Sequence, residues 1–531
     1  MGTLWFGGKI RTLYQEDEIC EAVFVENGVI IDVGKENQLR TKYAGKITDF
    51  EDVMGAVMYP GFVDSHLHMI GHGEKLLRLD LSEVNSIEKL KHILLNTMEK
   101  LSPDDWLIGE GFNENLFPSK KIPDRFVLDE ISQEQPIVLS RVCRHALVTN
   151  TMGLQLAGIT EQTNEPPGGV IVKDEAGVPT GYLLDQAQEL VKEVMPTKSL
   201  NYIKRAMEAS LKDLYRHGFV GAHTEDLNYY GDPIGTLRTF YDVIDGKRNK
   251  FRANLLIHHE VTDQIMALDE RDHSFIELGS VKIFADGALG GRTALLSEPY
   301  SDDKSTQGVA IHTPDELSEI VKGARELEMP VAIHVIGDLA LEYALNAIEK
   351  YPVPDGKRDR LIHLQVTRED LIQRMKKLPL ILDIQPRFVA TDFPWVEERL
   401  GQERIPYSFA WRRLLQEGLL CAGGSDAPIE PVNPILGIHA AVTRRKPNDE
   451  NHEGYIPTEK LSLFEALRLF TVGSAEAINK EAERGMIRKG YVADFTILSK
   501  DLFDLSPDEW LNVEVEKTIV DNSVMYDRKM L

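Results

Sequence analysis

The chain carries 85 acidic against 60 basic residues, a net charge of −25 over 531 residues. That balance excludes nucleic acid or an anionic membrane as a partner, because both are bound through basic surface. At 42% apolar and 27% charged residues, with no biased tract, the composition is that of a soluble globular enzyme. The length predicts two to four domains, or one large barrel with additions. Three widely spaced cysteines, Cys20, Cys143 and Cys421, form no disulfide framework and predict a reducing, cytoplasmic setting. The N-terminal residues lack the basic start and apolar core of a signal peptide. No uninterrupted apolar run approaches the ~18 residues of a membrane span.

The first stretch reads as β. Ala22–Val25 and Val29–Val33 flank Asn27-Gly28, two residues that tolerate positive φ and so predict a hairpin. A second β-rich stretch lies at the far end, with strands at Asp494–Leu498 and Lys517–Val520 and a turn at Asp521-Asn522 into Ser523–Tyr526. Either end alone holds too few strands to be stable, so the two ends are expected to pair into one small β domain.

Next comes Pro60-Gly61-Phe62-Val63-Asp64-Ser65-His66-Leu67-His68, a short buried strand ending in two histidines. Side chains alternate across a strand, so His66 and His68 face the same way and make half of a metal site. About 150 residues separate this strand from the next of its kind, Phe219–His223, far more than the ~30 of a βα unit. An insertion with its own strands is predicted there, at Trp106–Gly109, Pro136–Ser140, Gly169–Val172 and Thr180–Leu184. It closes with a helix burying Ile203, Met207, Leu211 and Leu214, stopped at Gly218.

From Phe219 onward strands and helices alternate. Strands are expected at Ala253–His258, Val281–Phe284, Val331–His334, Leu361–His363, Ile381–Ile384 and Leu420–Gly424. Capping boxes at Thr313–Glu316 and Ser462–Glu465 open two of the helices, the second of them the last long one. With the strands at Phe62 and Val220 the count reaches eight, and eight βα units predict an α/β fold of the TIM-barrel type.

Functional residues of such a barrel sit at the C-terminal strand ends. There the sequence places His66 and His68, Lys282, His334, His363 and Asp426. Singly, each has a plain explanation: Asp426 before a turn-forming Ala-Pro, Lys282 paired with Asp286, a lone histidine held by hydrogen bonds. That structural explanation is the one assigned to His223, His258 and His312. Six such residues on one rim are a different matter. Imidazole and carboxylate ligands suit zinc or another borderline divalent ion. Such an ion acidifies a water and polarises a carbonyl, and a neighbouring aspartate can pass the water's proton to a leaving nitrogen.

These residues resemble the amidohydrolase superfamily, with Pro60–His68, Lys282, His334, His363 and Gly424-Ser425-Asp426 carrying the likeness and Gly485–Asp494 resembling its return into the terminal β domain. Val281–Ala294, His334–Asp338 and Ser425–Glu430 are similar to the YtcJ-like branch of the amidohydrolase-3 family. The resemblance spans essentially the whole chain. It implies a metal-dependent (β/α)8 barrel at 59–75 and 200–481, a discontinuous β-sandwich at 1–58 and 482–531, and an α+β lid at 76–199. It implies two zinc ions per chain: one on His66, His68 and Asp426, a second on His334 and His363, and a carbamate on Lys282 bridging them. Asp426 would then shuttle a proton while metal-bound hydroxide cleaves a carbon–nitrogen bond other than a peptide bond, an N-acyl or N-formyl amine by analogy. In the insertion, Arg141-Val142-Cys143-Arg144-His145 with Asn150 resembles the branch's lid motif, so His145 and Asn113 are candidate substrate contacts. Phe112-Asn113-Glu114 stands where the pattern has Trp-Asp-Glu, and Val142-Cys143-Arg144 where smaller or acidic residues are usual; both bear on specificity. Arg292 could hold a substrate carboxylate or carbonyl, Arg387 is a further candidate beside the site, and Asp286 a candidate behind it.

The competing readings are a one-metal deaminase of a heterocyclic amine and a barrel that has lost its chemistry. The complete ligand set weighs against the second. A small-molecule substrate is implied in either enzyme reading, and a homodimer is the default assembly.

Overall fold

The computed structural model describes residues 2–99, 101–102, 105–142, 145–166, 168–195, 199–268 and 273–530. Cys143 and Arg144, within the expected lid motif, lie outside the described residues. The chain divides into two compact units, residues 1–72 with 210–531, and residues 73–209.

In the larger unit the two chain ends do build one β domain. A four-stranded sheet runs in the order Val29–Gly34, Ala22–Glu26, Gly2–Phe6, Ile47–Asp52. A six-stranded sheet runs Ser523–Asp527, Val515–Val520, Phe495–Leu498, Val57–Pro60, Lys9–Arg11, Ile19–Cys20. Three strands from the C-terminal end and three from the N-terminal end therefore share one sheet and meet where Phe495 lies opposite Pro60 in antiparallel register. Trp5, Val23, Val25, Met58, Phe495, Ile497 and Ile519 form one buried cluster, each aliphatic side chain contributing roughly 1.5–3 kcal/mol by burial. The hairpin at Asn27-Gly28 forms with both residues at positive φ, 54° and 75°.

The same unit holds eight parallel strands paired in sequence order: Phe62–Leu67, Phe219–Thr224, Arg252–His258, Ile276–Phe284, Val331–Val335, Asp359–His363, Leu380–Ile384 and Leu420–Gly423. They are called barrel strands one to eight below. Both capping boxes form, the Thr313 hydroxyl accepting from Glu316 N and the Ser462 hydroxyl from Glu465 N. The last helix is not one long α-helix. Leu463–Arg468 is α-helical, Leu469–Gly473 widens into a π turn, and Ser474–Glu476 resumes. There the Ser474 hydroxyl donates to Leu469 O, five residues back, and to Val63 O on strand one, at 3.2 and 2.9 Å.

Among the described residues no ladder joins strands eight and one. That seam is closed at its functional end. Asp426 N donates to His66 O, and His68 N to Ala427 O, both at 2.8 Å. The backbones approach so closely that a Cβ on Gly424 would lie 2.7 Å from His66 N, which is why glycine stands there. At the opposite end of the barrel, the Arg252 guanidinium grips the Asp494 carboxylate with two nitrogens, tying strand three to the β domain.

The smaller unit is a six-stranded mixed sheet in the order Gly169–Lys173, Pro179–Asp185, Ala146–Thr149, Ile137–Arg141, Leu107–Phe112, Leu79–Asp80. The helix Ile87–Met98, capped by Ser86, buries Leu90 and Leu94 in the core of this unit. No helix among the described residues is long and apolar enough to cross a membrane.

Candidate metal centre

Strand one delivers His66 and His68 on one face, and the backbone bonds across the seam bring Asp426 to them. Donor atoms of these three side chains all lie within 4.8 Å of one another. Asp426 Oδ1 is 3.6 Å from His66 Nε2 and 3.7 Å from His68 Nε2. His363, at the tip of strand six, packs edge-on against His66 at 5.5 Å between ring centroids and against His334 of strand five at 4.5 Å. Lys282 of strand four projects into the same group, its Nζ 3.3 Å from His66 Nε2. Strands one, four, five, six and eight thus converge on one spot, as the alternation of side chains along each strand requires.

Hydrogen bonds orient three of the four imidazoles. His68 Nδ1 donates to Glu225 O at 2.7 Å, His363 Nδ1 to Gln385 Oε1 at 2.8 Å, and His334 Nε2 to Gly287 O at 3.0 Å. Each ring therefore keeps one unprotonated nitrogen free for a metal. Burial, reinforced by the Lys282 charge, pulls His68 down to about 4 and His334 to about 3. Burial likewise drives His66 and His363 well below the ordinary imidazole value. All four are neutral near pH 7, the form that ligates. Burial pushes Asp426 up while the Lys282 charge opposes it; burial pulls Lys282 down while Glu225 and Asp426 oppose it.

This donor set fits a borderline divalent metal, since calcium and magnesium take all-oxygen shells. His66, His68 and Asp426 would hold one ion; His334 and His363 offer two nitrogens for another. Lys282 joins either only without its extra proton or as a carbamate, because an ammonium has no acceptor.

Several residues that build the centre escape a reading by sequence. Asp64, wholly buried, accepts from His66 N at 3.0 Å and from Ser425 N at 3.1 Å, clamping strand one to the loop that bears Asp426. It sits two residues before His66, on the same strand face, and that spacing was the available signal. Glu225 follows strand two, is buried, and takes a hydrogen bond from the Tyr229 hydroxyl, while its Oε1 has no partner. Arg360 and Asp383, both without exposure, form a two-nitrogen ion pair, and Arg360 Nη2 also donates to Ser65 O at 2.6 Å.

The remaining expected residues have structural partners. Asp286 does not pair with Lys282; it accepts from the backbone N–H groups of Leu295, Ile336 and Gly337. Arg292 binds Asp302 at 2.8 Å, and Arg387 binds Glu430 at 2.7 Å. In the smaller unit, Asn113 caps the short turn Glu114–Leu116, while Arg141 grips Glu114 with two nitrogens. His145 is 80% exposed, 3.2 Å from Asp185. Asn150 is buried and caps the helix Thr151–Leu156, so its part in the expected lid motif is to hold the backbone.

A parallel eight-stranded barrel with imidazoles, a lysine and an aspartate gathered at its strand ends defines a metal-dependent hydrolase. A match to the amidohydrolase family spans residues 49–526, and the chain belongs to that family, hydrolases of carbon–nitrogen bonds other than peptide bonds. It is 47% identical to the Bacillus subtilis protein YtcJ over 99% of this chain and 100% of that one. It is 26% identical to the N-substituted formamide deformylase of Arthrobacter pascens, over 98% and 97% of the two chains. The crystal structure of an uncharacterized metal-dependent hydrolase from Pyrococcus furiosus superposes with a TM-score of 0.79 at 27% identity, covering 96% of this chain and all (100%) of that one.

Proposed function

We propose that this chain hydrolyses an N-acyl or N-formyl amine, or a related amide, with Asp426 as the proton carrier. The observation that supports this reading most is the placement of the Asp426 carboxylate against both His66 and His68 at the open end of the barrel. The deformylase among the relatives favours the N-formyl class. Two divalent ions, zinc by the donor set, would supply an acidified water and a polarised carbonyl when bound. His66, His68 and Asp426 would hold one and His334 and His363 the other, and Lys282 would contribute as a carbamate. Asp426, its carboxylate raised in pKa by burial, accepts the proton of the attacking water and delivers it to the nitrogen as the C–N bond breaks. Asp64 keeps the Asp426 loop and the His66 backbone in register throughout.

The test is a panel of N-formyl and N-acyl amines assayed with the zinc-loaded protein, beside metal analysis of the same sample. Asp426→Asn is expected to retain fold and lower kcat by roughly 10²–10⁴. Turnover unchanged in that variant removes Asp426 from the mechanism, and about one metal per chain removes the two-metal arrangement.

A further inference from the structure

His258 reads from sequence as an ordinary structural histidine, yet its surroundings single it out. It ends strand three, directly opposite Lys282 in the parallel register. Its imidazole packs on Phe284 at 5.8 Å between centroids, and Phe284 packs on His334 at 5.2 Å. A single ring separates it from a candidate metal ligand.

Its tautomer is set by its neighbours. Asn228 Nδ2 and Glu260 N approach His258 Nδ1 at 3.3 and 3.4 Å. Asn228 Nδ2 also donates to the Glu260 carboxylate at 2.9 Å, which identifies that atom as the amide nitrogen. The same carboxylate oxygen stands 3.7 Å from Nδ1 and is committed to the amide. Two donors on Nδ1 place the imidazole proton on Nε2. Nε2 has no hydrogen-bond partner among the described residues, and the side chain is 10% exposed. A buried ring held in one tautomer, on the strand end opposite Lys282 and with an unused donor one ring removed from His334, is arranged to meet something brought by substrate.

We propose that His258 is a catalytic residue that donates its Nε2–H to the carbonyl oxygen of the substrate; this rests on the hydrolase reading above. As the water oxygen bonds to the carbonyl carbon, the C=O π pair moves onto oxygen and the donated hydrogen bond strengthens. As the C–N bond breaks, C=O re-forms and the nitrogen takes its proton from Asp426. His258 keeps its own proton throughout. A neutral donor of this kind acts by meeting charge that develops only in the transition state.

Two substitutions separate this role from packing. His258→Phe keeps the ring and removes the donor; His258→Gln keeps an N–H near the position of Nε2. With the zinc-loaded full chain, His258→Phe is expected to lower kcat by roughly 10²–10³ while KM moves only a few-fold and metal content and melting temperature hold. His258→Gln should recover part of the loss. Equal damage in both variants, or a kcat within threefold of the parent in His258→Phe, overturns the proposal and leaves the Asp426 reading intact. A second arm needs no turnover: acetate, which carries the carbonyl oxygen of an acyl product, is titrated calorimetrically into both zinc-loaded proteins. The parent should bind it roughly 10- to 100-fold more tightly than His258→Phe, as expected for a hydrogen bond to a charged group. Equal affinity overturns the proposal even if no amine on the panel is hydrolysed, an outcome that would itself overturn only the substrate reading.

Discussion

Replacing Arg360 by methionine tests whether the centre depends on a charge pair that touches no ligand directly. Arg360 precedes His363 by three residues, and Asp383 lies on the neighbouring strand seven, both completely buried. Nε and Nη2 reach the two carboxylate oxygens at 2.8 and 3.0 Å, and Nη2 holds Ser65 O at 2.6 Å, on strand one between Asp64 and His66. Arg360→Met strips the compensating charge from Asp383 and removes one donor from the Ser65 carbonyl. Breaking a buried pair in this way costs about 3–5 kcal/mol. Removing both charges in Arg360→Met/Asp383→Leu should recover at least ~2 kcal/mol, because the penalty lies in the uncompensated charge rather than in the loss of the pair. Urea unfolding of the parent, both single variants and the double variant, followed by tryptophan fluorescence, reads this coupling. Metal content of the same four proteins reads its reach into the site. A destabilisation below about 1 kcal/mol in Arg360→Met, or additive losses in the double variant, would refute the reasoning.

Gln385→Leu removes the acceptor that orients His363 through Nδ1; zinc affinity is expected to fall roughly 10- to 100-fold with little change in melting temperature, and an unchanged zinc titration would count against that orienting role. The pH dependence of the metal-free protein follows from its neutral imidazoles. Folding lowers His68 from 6.5 to about 4 and His334 from 6.5 to about 3, so between those values and 6.5 the unfolded chain binds more protons than the folded one. Their contribution to stability is therefore full above about pH 6.5 and falls as pH drops towards 4, against an opposite contribution from Asp64, Asp226 and Asp286, which burial raises to about 7. A chelator-treated His68→Gln/His334→Gln variant whose melting temperature follows the same pH dependence as the parent from pH 7 to pH 4.5 would contradict this.

The residues gathered at the barrel's functional end were legible in the sequence because nearly all of them mark the end of an apolar run, and a parallel barrel gathers such ends whatever lies between them. His66 and His68 advertise themselves by a spacing of two on a strand. The residues that orient the ligands were not legible for the opposite reason. Gln385 meets His363, and Glu225 O meets His68, only after neighbouring strands align, and nothing in their own stretches distinguishes them from other strand-end polar residues. His258 shows the same limit: its proton position is decided by Asn228 and Glu260, on two different loops. The expected long helix after Ser462 carried a correct start signal, but its widened turn ends where Ser474 reaches strand one. In the insertion, the hairpin at Gly169–Asp185 was readable from its turn residues, whereas Ala146–Thr149 was not, being a short strand directly after the His145 position and before the Asn150 cap.

The open seam between strands eight and one has a consequence for how the molecule comes into being. His66 and Asp426 stand ~360 residues apart, and the bonds that latch the barrel shut are the ones that bring them together. During synthesis the nascent chain acquires strand one early, yet its two histidines wait for Asp426 until ~360 further residues have been made. The β domain waits longer still, since Val57–Pro60 needs Phe495–Leu498 beside it. A product stopped before Asp426 would therefore lack one of the three side chains gathered at the seam, and one stopped before Phe495 would expose an unpaired sheet edge.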